Sequence, residues 1–310
     1  MKILHRKFGT PAAFFDALNN KHSTTLDSLV PLPASRFPID ELVEAYSQAR
    51  TDYVIPMPMS RSGFEKYINL YDIDLDLSTA VMDTIVTEVI AMGFVAIRGG
   101  EGWLSRIGVV PFARKRGVGA MMSHKLIDNA RRRGLERLWM EQIVGNDAGF
   151  YIAQKFGFEK IRELVVARRP PNFADEPVLV RQLDGVTYID PDQLLPLLDQ
   201  RQTRPSWINQ TTTYSHLLDK LVGLNVVHPN LGRGWVIYED NRFQLRRIAI
   251  QVTEGDEFEM SCELLRILHQ VAARRDASLE NIMADSVQWR AYQAAGYFET
   301  FRRVEMCLTF

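Results

Sequence analysis

Cysteine is nearly absent: Cys262 and Cys307 are the two thiols in 310 residues, far apart and without metal-ligand spacing. So few thiols argue against a disulfide framework and fit a reducing compartment, hence a cytoplasmic protein. The six histidines, His5, His22, His124, His216, His228 and His269, fall at no ligand spacing either, and no metal site is expected. An excess of one charge is also missing. Lys and Arg number 37 against 38 Asp and Glu, a formal net charge of −1. That balance argues against nucleic acid and anionic membranes as partners. The longest apolar run, near 86–97, is interrupted by Glu88 and flanked by Asp83 and Arg98, too short and too charged to span a membrane. The opening stretch, MKILHRKFGTPAAFF, holds no secretory apolar region.

What the chain has is an ordinary globular composition, 46% hydrophobic and 24% charged. Its length suits two domains, each long enough to bury a core. Arg168-Arg169-Pro170-Pro171-Asn172 breaks regular structure, which places a linker at 169–178 and domains at 1–170 and 171–310. Before the linker, 38–50 has helical spacing (Leu42, Val43, Ala45, Tyr46, Ala49), and 60–70 reads as a helix capped by Ser60. Residues 78–98 are β-branched and read as a hairpin, and 103–110 as a buried strand. Then come a helix over 119–133 stopped by Gly134, a strand over 138–144, a short helix over 148–156 and a strand over 158–167. Residues 1–35 are expected to add a strand or cover a sheet edge. The alternation indicates an α/β or α+β sheet protein.

A similar series follows the linker: a hairpin over 235–251, a helix over 259–275, a strand near 281–285, a short helix ending at Gly296 and a last strand. Ala130-Arg131-Arg132-Arg133-Gly134-Leu135-Glu136 aligns with residues 273–280, and Gln154-Lys155-Phe156-Gly157-Phe158 with residues 293–297. The shared order supports an internal duplication.

The most informative stretch is Ile107-Gly108-Val109-Val110-Pro111-Phe112-Ala113-Arg114-Lys115-Arg116-Gly117-Val118-Gly119-Ala120, a strand running through a short loop into a helix. The first N–H groups of a helix have no intrahelical partner, so a phosphate there both satisfies them and meets the positive end of the dipole. Gly117 and Gly119 clear the approach. Arg114, Lys115 and Arg116 add positive charge. A solvated basic turn with capping glycines is the plainer alternative.

Over residues 38–168 the sequence resembles the GNAT superfamily of N-acetyltransferases. The resemblance rests on the [QR]-x-x-G-x-[GA] pattern at 114–119, the approach strand ending Gly108-Val109-Val110-Pro111, and Asn146 followed by Lys155-Phe156-Gly157-Phe158. It implies two tandem GNAT-like domains, each a mixed, mostly antiparallel twisted sheet flanked by helices, with a V-shaped splay between the fourth and fifth strands. It also implies acetyl-CoA as cosubstrate. The main chain of Ile107, Gly108 and Val109 would pair with the pantetheine arm. The amides of Lys115, Arg116, Gly117, Val118, Gly119 and Ala120 would hold the pyrophosphate, and Asn146 would contact the thiol arm.

Acetyl transfer needs a neutral amine. With a pKa of about 10.4, roughly one alkylamine in ~10³ is neutral at pH 7, a deficit of about 4–5 kcal/mol that a base helps to remove. Glu141 is the candidate base, acting directly or through water; a structural carboxylate paired with an arginine is its alternative role. The family's oxyanion donor would be the Val109 N–H. The family's usual acid, a tyrosine seven residues after the asparagine, is replaced by Ala153; Tyr151 is the candidate substitute, with packing as its other role. The second half lacks the cradle, since Glu254, Asp256 and Glu257 would repel a diphosphate there, and it reads as a degenerate copy. The expectation is an N-acetyltransferase acting on a primary amine of a small molecule or peptide, with homodimerisation possible. A non-catalytic acyl-CoA-binding regulatory module and a structural dimerising protein are the competing readings.

Overall fold

The structure, a computed structural model, describes residues 26–174 and 176–310. The opening stretch read for a secretory signal, with His5 and His22, lies outside the described residues. The chain packs into two compact units. The first comprises residues up to Glu141 with Gly145–Glu159 and Met306–Phe310; the second comprises Gln142–Val144 and Lys160–Glu305. Among the described residues no helix is long and apolar enough to cross a membrane.

In the first unit β1 (Leu29–Pro33), β2 (Ile73–Asp83), β3 (Glu88–Arg98), β4 (Glu101–Val109) and β5 (Arg137–Ile143) lie side by side in chain order. The first three pairings are antiparallel and β4–β5 is parallel. β1 is a strand added from within residues 1–35, and the hairpin expected over 78–98 turns at 84–87. Side chains of β3 alternate between two covered faces, so all eight residues from Val89 to Ala96 are buried rather than every second one. Helices α1 (Ile39–Gln48) and α2 (Arg61–Tyr71) cover one face, where Leu42, Ala45 and Tyr46 form the buried stripe of α1 and Phe64 meets Phe94 with centroids 5.1 Å apart. Ser60 caps α2 by accepting from the Gly63 N–H at 3.1 Å, as its sequence position predicts.

Helix α3 (Val118–Arg132) covers the other face. Its buried stripe of Met122, Leu126, Ile127 and Ala130 seats closely on Gly93, where an added Cβ would stand 2.6 Å from Leu126 Cδ1. Burying each such large apolar side chain contributes about 1.5–3 kcal/mol. Helix α4 (Asp147–Lys155) follows β5 and ends at left-handed Gly157. The chain's last residues also belong here: the Phe310 N–H donates to the Glu136 carbonyl at 3.0 Å, and the Arg131 guanidinium lies 5.2 Å from the Phe310 ring centre.

The second unit orders its strands β6 (Glu159–Arg169), β11 (Asp276–Met283), β10 (Gln244–Glu254), β9 (Gly232–Asp240), β8 (Leu221–His228) and β7 (Val186–Tyr188). Helices α5 (Pro191–Asp199), α6 (Thr211–Ser215), α7 (Glu257–Val271) and α8 (Val287–Ala294) belong to it, as does the expected last strand, β12 (Phe298–Thr309), as far as Glu305. Leu224, Val236, Leu245, Met260, Leu264 and Leu268 are among its core. The prolines at 170–171 end β6 without dividing the packing. β6 pairs with β11, Arg169 opposite Ala277 and Leu164 opposite Met283, so the units part near residue 160 and not at 170.

The duplication has a physical counterpart. β4 and β10 each take in an extra residue relative to their antiparallel neighbour at an arginine in left-handed conformation, Arg106 (φ 51°) and Arg247 (φ 48°). The match of 154–158 with 293–297 holds, since each short helix closes on a left-handed glycine, Gly157 and Gly296. The other alignment is corrected. α7 ends at Val271 as α3 ends at Arg132, so residues 273–280 lie mostly in β11, about one helical turn past their supposed counterparts. For the same reason the strand expected near 281 starts at Asp276.

Candidate active site

In the first unit β4 and β5 pair from Glu101 opposite Arg137 to Leu104 opposite Met140, and there the pairing stops although both strands continue. The bulge at Arg106 accounts for the divergence, because an extra residue bends the bulged strand and increases its twist. Arg106 is held beneath the gap, 4.2 Å from the Tyr67 ring centre, with Nη1 donating to the Tyr46 hydroxyl at 2.6 Å. The Val110 N–H donates back to Ile90 at 2.9 Å. Hydrogen-bonding direction alternates along a strand, so the groups of Val109 and Ile107 face the open edge. Their carbonyls accept from that side: Ile107 from Arg50 Nη2 at 3.0 Å, Val109 from Arg114 Nε at 2.9 Å.

The loop after β4 turns through two left-handed residues, Lys115 (φ 60°) and Gly117 (φ 83°), before α3 begins at Val118. Gly117 is the N-cap and no side chain caps this helix, so the amides of Val118, Gly119 and Ala120 have neither a helical nor a capping partner. Helices α2, α4, α7 and α8 are instead capped by side-chain oxygens of Ser60, Asn146, Asp256 and Ser286. A Cβ on Gly119 would sit 3.3 Å from Ile152 Cδ1 and 3.6 Å from Val109 Cγ2, between the end of β4 and α4.

Arg114 has a different task from the one its charge suggested. Its guanidinium grips Asp52 with two nitrogens at 2.7 and 2.8 Å and also reaches the Ala49 carbonyl at 3.1 Å, strapping the loop to the segment after α1. That hydrogen bonding holds the Asp52 carboxyl below the usual carboxylate range. Lys115 is exposed and Arg116 half-buried.

Glu141 stands one residue past the last β4–β5 pair, half-buried, and its Oε2 accepts from Trp103 Nε1 at 2.6 Å. An indole N–H is thus one partner of this carboxylate. Trp103 is itself fixed edge-on against Tyr71 at 5.7 Å. Asn146 caps α4 by accepting from the Gly149 N–H at 3.2 Å and donates Nδ2 to the Tyr53 hydroxyl at 3.2 Å. Arg50 lies 4.2 Å from the Tyr53 ring centre. Arg50, Tyr53 and Trp103 thus join the group; sequence reasoning read Trp103 as core, placed Tyr53 at the start of an acceptor-pocket segment and gave Arg50 no role. The one available signal was an arginine and a tyrosine closing an amphipathic helix. Tyr151 is 67% exposed on α4, while Ala153 is buried at 3%.

Residues 42–158 match the profile of the Acetyltransferase (GNAT) family. The matched segment is similar to a GNAT acetyltransferase domain. Solved structures extend the likeness over both units. A GCN5-related N-acetyltransferase from Sphaerobacter thermophilus is 15% identical, with 92% of this chain and 97% of that one covered and a TM-score of 0.68. A tandem GNAT protein from the clavulanic acid biosynthesis pathway is 13% identical, with coverages of 91% and 98% and a TM-score of 0.62. A GCN5-related N-acetyltransferase from Anabaena variabilis is 14% identical, with coverages of 90% and 72% and a TM-score of 0.54. At these identities the likeness is one of fold, a tandem GNAT architecture. No curated protein matches the chain. The family match over residues 42–158 points to acyl transfer.

Proposed function

We propose that the GNAT domain transfers an acetyl group from acetyl-CoA to a primary amine of a small molecule or peptide by direct attack. The observation that carries this reading is the uncapped start of α3, where a strand with open main-chain groups runs into a left-handed, glycine-containing turn. The amides of Lys115 to Ala120 hold the diphosphate, with the dipole of α3 behind them. The groups of Ile107 and Val109 that face the gap pair with the pantetheine arm. Each carbonyl has a second lone pair beyond the one engaged by Arg50 or Arg114. Asn146 and Tyr53 line the thiol end.

Glu141 takes a proton from the ammonium form, directly or through one water, and the free amine attacks the thioester carbon. A C–N bond forms as the C–S bond breaks, and the nitrogen's surplus proton passes to solvent. The Val109 N–H faces the carbonyl oxygen as charge builds on it. The thiolate takes its proton from solvent, since Ala153 has none to give. Incubating the full chain with acetyl-CoA and a panel of primary amines, with free thiol followed colorimetrically, should give release that depends on both reactants. Release no faster than the amine-free rate across the panel would end this reading.

A further inference from the structure

The second unit repeats the divergence of strands but not the cradle. β10 and β11 pair in parallel only as far as Arg246 opposite Ser278. Beyond that point Ile248 to Gln251 and Asn281 to Met283 bound a recess of about 100 Å³. A coenzyme diphosphate is poorly suited to this unit, because α7 is capped by its own chain: the Asp256 carboxylate accepts from the Phe258 and Glu259 amides at 3.0 and 2.9 Å. Yet the recess is not a filled remnant. Its wall contains three arginines, Arg162, Arg201 and Arg204, and no carboxylate.

Glu305, 1% exposed, pairs with Arg162 at 2.7 Å and with Arg204 at 3.7 Å, so two of the three guanidiniums share one carboxylate. Arg162 Nη1 donates to the Arg204 carbonyl at 2.8 Å, and its Nη2 is buried with no hydrogen-bond partner in the protein. Arg201 donates to neutral oxygens, the Leu198 carbonyl at 2.7 Å and the Thr211 hydroxyl at 3.4 Å, and lies 5.5 Å from the Tyr214 ring centre. Burial lowers its pKa, only partly offset by Tyr214 and Asp199 nearby. A desolvated guanidinium without a bonded anion is costly, and a bound anion would relieve that cost while using the planar donor fork. One part of the remaining wall is apolar, formed by Ile248, Ile250, Ile282 and Tyr292, whose hydroxyl is already committed to the Ile248 carbonyl at 3.0 Å, and the rest carries neutral polar groups such as Ser206, Asn209 and Asn281.

We infer that the second unit is an anion-binding module, in which Arg162, Arg201 and Arg204 hold the carboxylate or phosphate head of a small organic anion while Ile248, Ile282 and Tyr292 cover its apolar body. The site is distinct from the acetyl-CoA cradle and does not depend on the acetyltransferase reading. Calorimetry on the full chain at fixed ionic strength, with phenyl phosphate, benzoate and inorganic phosphate as probes, tests it. Saturable one-to-one binding is expected for at least one organic probe, and the tighter of the two identifies the head group. Arg201→Gln and Arg204→Gln should each weaken it tenfold or more while leaving coenzyme A binding unchanged. Arg201 also ties down the end of α5, so if its variant misfolds, Arg204→Gln decides, on a side chain 37% exposed. No saturable binding of either organic probe, or binding that Arg204→Gln leaves intact, overturns the inference.

Discussion

Replacing Gly119 by aspartate separates the two properties of the α3 N-terminus, because it should help the empty protein and harm the liganded one. Without ligand, a carboxylate in the first turn meets unpartnered amides and the positive end of the dipole, a gain of about 0.3–1 kcal/mol. The new Cβ comes 3.3 Å from Ile152 Cδ1, the movable tip of a side chain, so steric cost is small. The melting temperature should hold or rise by roughly 1–4 °C. With ligand, the same carboxylate takes up donors worth about 0.3–1 kcal/mol each. It also repels a phosphate charge some ~5 Å away by about 3 kcal/mol at an effective dielectric near 20. Together these come to about 4 kcal/mol, or roughly a thousandfold in affinity. Gly119→Ala keeps the donors and adds only a methyl, so its loss should stay below about tenfold. Titration calorimetry of the full chain with coenzyme A reads the affinities, and thermal melting reads the fold. Affinity within threefold of the parent in a stably folded Gly119→Asp protein would refute the cradle.

Glu141→Gln should lower kcat by about 10²–10⁴ with coenzyme A affinity unchanged, and remove the acidic limb of the pH–rate profile; steady-state kinetics with a saturating amine checks this. Asp52→Asn should weaken coenzyme A binding, by less than about tenfold, by loosening the strap on Arg114. In the parent the Asp52 carboxyl is held below its ordinary value by Arg114, so the strap persists above the carboxylate range and is lost as pH falls through the lowered pKa, below about pH 4. In the second unit His269 is 8% exposed, and burial together with Arg169 brings its pKa down to about 3. Unfolded histidine titrates near 6.5, so this contribution is complete above that pH. It should fall by about 1.4 kcal/mol per unit below it, roughly 2 kcal/mol by pH 5. Urea midpoints for the parent and His269→Gln at pH 7.5 and 5 should differ in slope by that amount.

The N-terminal unit was legible wherever burial follows one period. The stripe Leu42, Ala45, Tyr46 and the Ser60 cap announce α1 and α2, and the glycines at 117 and 119 announce the turn before α3. Residues 179–234 were not legible, because their elements are short and contradict local propensity. β7 has three residues, α5 contains Pro196, and α6 is built on Thr211, Thr212 and Thr213. β11 hid its start behind Asp276, Ala277 and Ser278, a polar stretch that alternates burial without the usual β-branched residues. At the site, sequence identified the turn and Glu141 but not what anchors them. Long-range partners such as Asp52 for Arg114 and Trp103 for Glu141 follow from how strands and loops meet, which no local pattern encodes.

Residues 306–310 belong to the unit whose other segments are synthesised first, with Phe310 bonded to Glu136. During translation that unit must wait, lacking its final strand segment, until the whole of the second unit has left the ribosome. Its unfinished edge is exposed to self-association for that interval. Clipping the chain after Glu305 should therefore wound the half that lies farthest away along the sequence.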